Sequence, residues 1–418
     1  MILLRFAAPA LRRLSILALL VLSLASIATQ PAAADQAAEA DVPVIRNVTD
    51  PPGGIEVLHL EEMWRAGGED GDEIFGQIFR ADADEEGNVY LVDTQLSEVP
   101  VFSPDGERIK TLSREGEGPG ETREPVDMLL LPDGSVGILQ RFPGKVVRID
   151  RDGTPVGDIF FNEATEGGFT ALYTGRCRGD ELMFVIQRAT RDESSSTRTI
   201  EVARYDVEGN ELARCFTRST LIDFNNPVIS ESSVLDVAVF GSTIAPDGCV
   251  YVGADYDRYA VNVYRPDGTL HHVIEREFTK RPRTELESGR IEAVFATWGR
   301  RGGQQMPTEI YDCAPTITDL YVDDANRLWV ENSRSAEVGP DEAMLTYDLY
   351  DADGKFTHQV ALVCDGDPVN DELFRVRDDM VVLVKGSIPA MYAAMAPTVD
   401  ADEEAAEANM EIVCYRIP

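Results

Sequence analysis

IFRADADEEGNVYLVDTQLSEVPVFSPDGERIKTL, residues Ile78 to Leu112, decides the fold. It holds two turn signals, Gly87-Asn88 and Asp105-Gly106, each between short runs that alternate apolar and polar residues. Such pairs mark β-turns, because the turn needs residues that tolerate φ > 0. Two hairpins in series make four antiparallel strands. The unit then recurs. First hairpins fall near Gly87, Gly134, Gly179, Gly248, Ala325 and Asp379, and second hairpins near Gly106, Gly153, Gly209, Gly268 and Gly354.

The sixth unit ends on the third strand EIVCYRIP, Glu411 to Pro418, without a fourth. At the other end IEVLHLEEMW, from Ile55, alternates as a strand without a hairpin partner. The spare strand supplies the missing one, and closing the ring removes exposed sheet edges. The expected fold is all-β: a six-bladed β-propeller of four-stranded antiparallel blades, closed by an N-terminal strand that completes the last blade.

The hairpins GNVYLVD…VPVFSPDGERIKTL, GSVGIL…KVVRIDRDGTPVGDI and GCVYVGAD…VNVYRPDGTLHHVI resemble NHL-type repeats of six-bladed propellers. The linker REGEGPGE, Arg114 to Glu121, and NRLWVEN, Asn326 to Asn332, are similar to segments of a bacterial exported group of that fold. The resemblance spans nearly all of residues 55–418 and implies the fold rather than an activity.

Residues 1–34 have the layout of a cleaved export signal. Arg5, Arg12 and Arg13 precede the apolar run Leu14 to Ile27, and Ala32-Ala33-Ala34 offers small residues for cleavage. The run is shorter than a span of about 20 residues, and no Cys follows to carry a lipid. The expected location is periplasmic or secreted, with no membrane insertion after cleavage. Residues 35–54, rich in Ala, Asp and Pro, read as a disordered lead-in. The acceptor-like Asn47-Val48-Thr49 is taken as chance in a chain with a bacterial type of signal.

Without those three Arg the chain keeps 35 basic and 74 acidic residues, a formal charge of −39. Such a surface repels nucleic acid and anionic lipid, which argues against both as partners. Six cysteines, Cys177, Cys215, Cys249, Cys313, Cys364 and Cys414, suggest disulfides in an exported chain. No pair has CxxC spacing, and sequence does not choose among the pairings, although Cys364–Cys414 joins neighbouring repeats.

Turns between strands 1–2 and 3–4 share one face of the ring, here called the turn face, and the Gly-marked turns there are short. The other connections share the loop face and are long: Arg114 to Pro125, Arg188 to Thr197, Ser219 to Leu235, Glu277 to Thr316 and Gly386 to Met410. Long loops on one face of a rigid scaffold are where binding concentrates. The insertion 277–316, between blades 4 and 5, reads as helical over Arg283 to Gly299, with Leu286, Ile291, Val294, Phe295 and Trp298 at helical spacing. It either packs its stripe on the propeller face or forms a lid that offers Trp298, Arg300 and Arg301 to a ligand. Asp400 to Met410 reads as a solvated loop.

Calcium is the one cofactor the residues suggest. Asp82, Asp84, Glu86, Gly87 and Asp93 loosely fit a calcium loop, but the context is strand–turn–strand, so they read as turn chemistry and no metal ligand is assigned. The four histidines, His59, His271, His272 and His358, all fall on outer strands, away from a channel, which argues against a three-His metal or a Ser-His-Asp site. The remaining candidates are Arg and aromatic groups on the loop face: Arg141, Phe142, Tyr256, Arg258, Trp298, Arg300 and Arg301. Guanidinium forks bind carboxylates and aromatic faces stack on sugars. The expected function is a binding or scaffold protein for a protein or glycan ligand. The alternative is a lactonase-type hydrolase with a divalent cation held by channel carboxylates.

Overall fold

The first hairpin closes through a hydrogen bond from Gly87 N to Asp84 O at 3.0 Å, with Gly87 at φ 84°. Gly106 closes the second in the same way at φ 82°, and a side chain there would meet Trp64 at 2.7 Å. Asp84 explains the acids of this stretch. Its carboxylate accepts from the Glu86 and Asn88 amides, from Asn88 Nδ2 and from the Tyr90 hydroxyl, which makes it a turn cap.

A computed structural model describes residues 42–418 except 70, 162–167, 227, 232–235, 302–306 and 397–409. Six four-stranded antiparallel sheets form the ring. Blade 1 runs from Ile78 to Leu112, blade 2 from Pro125 to Phe160 and blade 3 from Phe169 to Asp223. Blade 4 runs from Ser242 to Arg276 and blade 5 from Ile317 to Val363. Blade 6 consists of Glu372–Arg377, Met380–Lys385, Glu411–Arg416 and an N-terminal strand. The apolar residues gather in six clusters, one between each pair of neighbouring blades, so the core is a ring of interfaces.

The N-terminal segment corrects two expectations. The ten-residue run from Ile55 is two strands broken at Leu60. Strand β2 (Ile55–His59) adds in parallel to the outer edge of blade 5, and β3 (Glu61–Gly67) pairs antiparallel with Glu411–Arg416 and closes blade 6. The lead-in is also partly ordered: β1 (Val44–Asn47) lies parallel on the outer edge of blade 4. Asn47 is used structurally, since its Nδ2 donates to Gly354 O at 3.1 Å and its Oδ1 accepts from Phe356 N at 2.9 Å. The stretch expected as a signal lies outside the described residues.

The connection expected over Arg188 to Thr197 is mostly strand, because the strands of blade 3 extend to Arg191 and resume at Ser195. The insertion forms helix α1 (Glu285–Arg301). Its start is a capping box, with Thr284 Oγ1 accepting from Glu287 N at 3.2 Å and Glu287 Oε2 accepting from Thr284 N at 2.8 Å. A second helix, α2 (Ser387–Met395), lies in the blade 6 connection, where no helix was expected. Ile291, Val294 and Phe295 of α1 pack with Tyr392, Met395 and Ala396 at α2, so the apolar stripe meets another helix rather than the blades.

All six cysteines are free thiols. Cys364 borders the core between blades 5 and 6, whereas Cys414 lies in the core between blades 6 and 1. Strand alternation turns Val413 and Tyr415 toward blade 5 and Cys414 away from it, which rules out the favoured pair.

Candidate functional site: a charged central channel

The innermost strands line the central channel, and four of them carry the same irregularity. Register shifts occur between Ile78 and Arg80, Pro125 and Asp127, Leu172 and Thr174, and Ile317 and Asp319. Each bulge re-aims the residue that follows it. Arg80, Asp127 and Asp319 occupy one position in their strands, three residues before the ends at Ala83, Leu130 and Val322. Blade 6 adds Glu372, the first residue of its innermost strand.

Asp127 is the anchor of the blade 1–3 wall. It is 2% exposed. It accepts from Met128 N at 2.8 Å, Gly175 N at 3.1 Å and the Thr174 hydroxyl, and it pairs with Arg176 at 3.0 Å and Arg80 at 3.5 Å. Arg176 also donates to Thr174 Oγ1 and Gly175 O. The 3.5 Å contact is the one ion pair of Arg80 among the described residues, and its guanidinium lies 5.8 Å over the Phe374 ring of blade 6.

The opposite wall is acidic. Asp319, Glu331 and Glu372 come from blades 5 and 6, and Asp82 from blade 1. None of these four forms an ion pair among the described residues. Glu331 accepts from Thr318 Oγ1 at 3.0 Å, and Glu372 from Ser387 Oγ at 2.9 Å. Burial among protein groups, with the neighbouring Asp319, pushes the Glu331 carboxyl up to about 8. Surrounding protein groups, partly offset by the Ser387 hydroxyl, push the Glu372 carboxyl upward, although the residue is exposed to solvent and its rise is accordingly the weaker. Burial raises Asp82 to about 6 against the pull of Arg80, and it raises Asp319 as well. The channel thus holds carboxyls raised toward neutrality beside a carboxylate fixed by two guanidiniums.

The two ends of the channel differ. At the turn face, Arg178 of blade 3 reaches blade 5, donates to the Tyr321 hydroxyl at 2.9 Å and to Val322 O, and lies 4.7 Å over the Tyr321 ring. Blade 4 lies between those two blades, so this contact crosses the channel and forms its floor. At the loop face stand the helices. The bond from Ser387 to Glu372 sets the start of α2 at the channel mouth. Arg290 ties α1 to blade 6 through Asn370 Oδ1 at 3.0 Å.

The candidates named from sequence separate. Arg141 and Phe142 lie on the loop face beside the channel. The Arg141 guanidinium sits 5.4 Å over Tyr173, the bulged residue of blade 3, and its buried Nε has no hydrogen-bond partner. Phe142 is 48% exposed and meets Phe169 edge-on at 5.9 Å. Tyr256 instead joins a buried staple. Its hydroxyl donates to Glu231 Oε1 at 2.9 Å, and Glu231 pairs with Arg283 just before α1. Arg258 is an exposed rim residue paired with Glu275 and with Asp255 at 3.6 Å. Trp298, Arg300 and Arg301 fall in the last turn of α1, and their side chains lie outside the described part.

Sequence reading missed the channel residues Arg80, Asp82, Asp127, Arg176, Asp319, Glu331 and Glu372 as a site. A signal was present: IFRADA, PVDMLL and ITDLYV place a charged residue in one column of the innermost strands, where a purely structural strand would be apolar. Among the described residues, no group of three or more His, Cys, Asp or Glu is placed to hold a metal ion. No described helix is long and apolar enough to cross a membrane.

No protein-family model matches the chain, and no curated protein does. Solved structures do. A member of the DUF4221 family from Bacteroides vulgatus is 11% identical over 86% of this chain and 98% of its own, with a TM-score of 0.47. A protein described as exported, from Bacteroides fragilis, is 12% identical over 90% and 99%, with a TM-score of 0.45. The calcium-binding protein regucalcin from Agrobacterium tumefaciens is 9% identical over 87% and 96%, with a TM-score of 0.44. At these identities the likeness concerns the fold, and the NHL-like reading rests on the hairpin sequences alone.

Proposed function

We propose that this is an exported binding propeller that takes a protein or glycan ligand at its loop face and admits a polar group of that ligand into the channel. The observation that carries the reading is a charged channel with a floor of Arg178 and Tyr321 and, on its loop-face side, Arg141 with a buried Nε that has no hydrogen-bond partner and the exposed ring of Phe142. Arg80 supplies donors, the Asp319–Glu331–Glu372 wall supplies acceptors, and Phe142 supplies an exposed ring for stacking. The basic and apolar start of the sequence supports export.

Binding to an array of neutral and acidic glycans tests the reading. Wild-type protein is expected to give hits that Arg141→Ala and Arg80→Ala each weaken about tenfold, the effect of roughly 1.4 kcal/mol. Hits unchanged in both variants refute the placement of the site. A hydrolase is a second reading, favoured by the Glu331 carboxyl held near 8 beside Asp319, the signature of a general acid at neutral pH. Release of product from an array hit, abolished by Glu331→Gln, separates it from simple binding.

A further inference from the structure

A second cavity lies on the turn face between blades 5 and 6, apart from the channel mouth. Its volume is about 200 Å³, and Leu58, Leu349, Val360 and Ile417 give it an aliphatic side. Its charged lining residues are paired, with one exception. Arg327 bonds Asp323 at 2.7 Å, His358 meets Glu56 at 3.5 Å, and the Asp378 carboxylate accepts from the Tyr321 hydroxyl and Asp324 N. Arg375 is the exception. In a chain with 74 acidic residues it forms no ion pair among the described residues, and its buried Nε and Nη1 have no hydrogen-bond partner. Its remaining bond is from Nη2 to Asp378 O at 2.8 Å.

The guanidinium is also held in place. It lies 3.8 Å from the Trp329 ring centroid and 4.8 Å from that of Tyr321. Stacked rings exclude water from the faces of the group and leave its N–H edges as the points of recognition. Unpaired buried donors are unfavourable by about 1–3 kcal/mol each, so an acceptor toward which the side chain shifts to present them gains that energy.

We propose that this cavity binds a small organic acid, its carboxylate on Arg375 and its short apolar tail against Leu58, Leu349, Val360 and Ile417. The volume is below the roughly 300–1,000 Å³ of pockets for drug-sized ligands, which restricts the occupant to a compact molecule. Inorganic phosphate shares the oxyanion chemistry but has no tail, so it distinguishes the apolar wall from the guanidinium.

Calorimetric titration of the full chain with hexanoate and with phosphate is the test. Hexanoate is expected to bind at least tenfold more tightly than phosphate. Arg375→Met should weaken it tenfold or more. Leu58→Trp, which fills the cavity while leaving Arg375 unsubstituted, should do the same in a chain that still melts cooperatively. It guards against a loss that merely reports misfolding of the first variant. Equal affinity for phosphate overturns the organic-acid assignment. Hexanoate binding unchanged in both variants, or a flat wild-type titration, overturns the site. Arg80 and Arg141 lie elsewhere, so failure here is separable from failure of the loop-face reading.

Discussion

Glu331 shows how a single side chain records its surroundings. Its carboxyl is raised from 4.5 to about 8, so the folded protein holds this proton more tightly than the unfolded chain does. The stabilisation is complete below about pH 4.5 and is lost as pH rises through about 8. Glu331→Gln should therefore flatten the decline of stability over that window and leave the variant more stable than wild type at pH 9, by on the order of 1 kcal/mol. Urea denaturation across pH measures it, and parallel wild-type and variant curves would refute the placement of Glu331. Side chains like this one were the least legible in the sequence. With 74 acids present, an Asp or Glu in the channel has the same letter as one on the rim, and only strand pairing tells them apart. Arg141 and Phe142 were legible because a loop between two clear strands has a known face. The partner of Tyr256 was not legible, because a Tyr in a loop serves a buried Glu as readily as a ligand.

Among elements, the hairpins were legible because their turns are local: Gly87 and Gly106 fix φ and closure within four residues. The N-terminal run was not. Its partners lie some 300 residues away, and period-two alternation is the same for a strand that closes a blade and one that covers a blade's edge. Function divides accordingly between β1, β2 and β3. The Trp64 ring of β3 stacks on Phe102 of blade 1 at 5.5 Å, so this strand joins the ends of the ring. Removal of residues through Leu60 strips β1 and β2 but keeps the ring closed, and a cooperative melt at reduced temperature is expected. Trp64→Ala should destabilise by about 3–5 kcal/mol, as for large buried aromatic truncations. Removal through Gly67 should abolish the cooperative transition in circular dichroism. A cooperative melt in that last case would show that β3 is dispensable for closure.

At the scale of the molecule, the formal charge of −36 acts on everything at once. Self-repulsion opposes the compact state and is screened within about 10 Å at 0.1 M salt. The melting temperature should climb by several degrees between 10 mM and 0.5 M sodium chloride, read by scanning calorimetry. A fall over that range would mean that paired charges outweigh the net surplus. The ring tolerates the surplus because its stability lies in six apolar interfaces between blades, with the acids on the rim, in turn caps and in the channel. This architecture also explains why fold was readable where function was not. Six near-copies of one hairpin pair announce themselves, whereas a site is assembled from one or two residues of several copies.

The path of the first strands has a consequence for biogenesis. β1, β2 and β3 leave the ribosome, and on the export reading cross the membrane, before the strands of blades 4, 5 and 6 that receive them. Until those blades arrive, the leading segment is an unpaired β-edge, the kind of surface on which chains aggregate. Ring closure therefore waits for the strand Glu411–Arg416, and a chain stalled before Glu411 carries its own fastening strand with nothing to fasten.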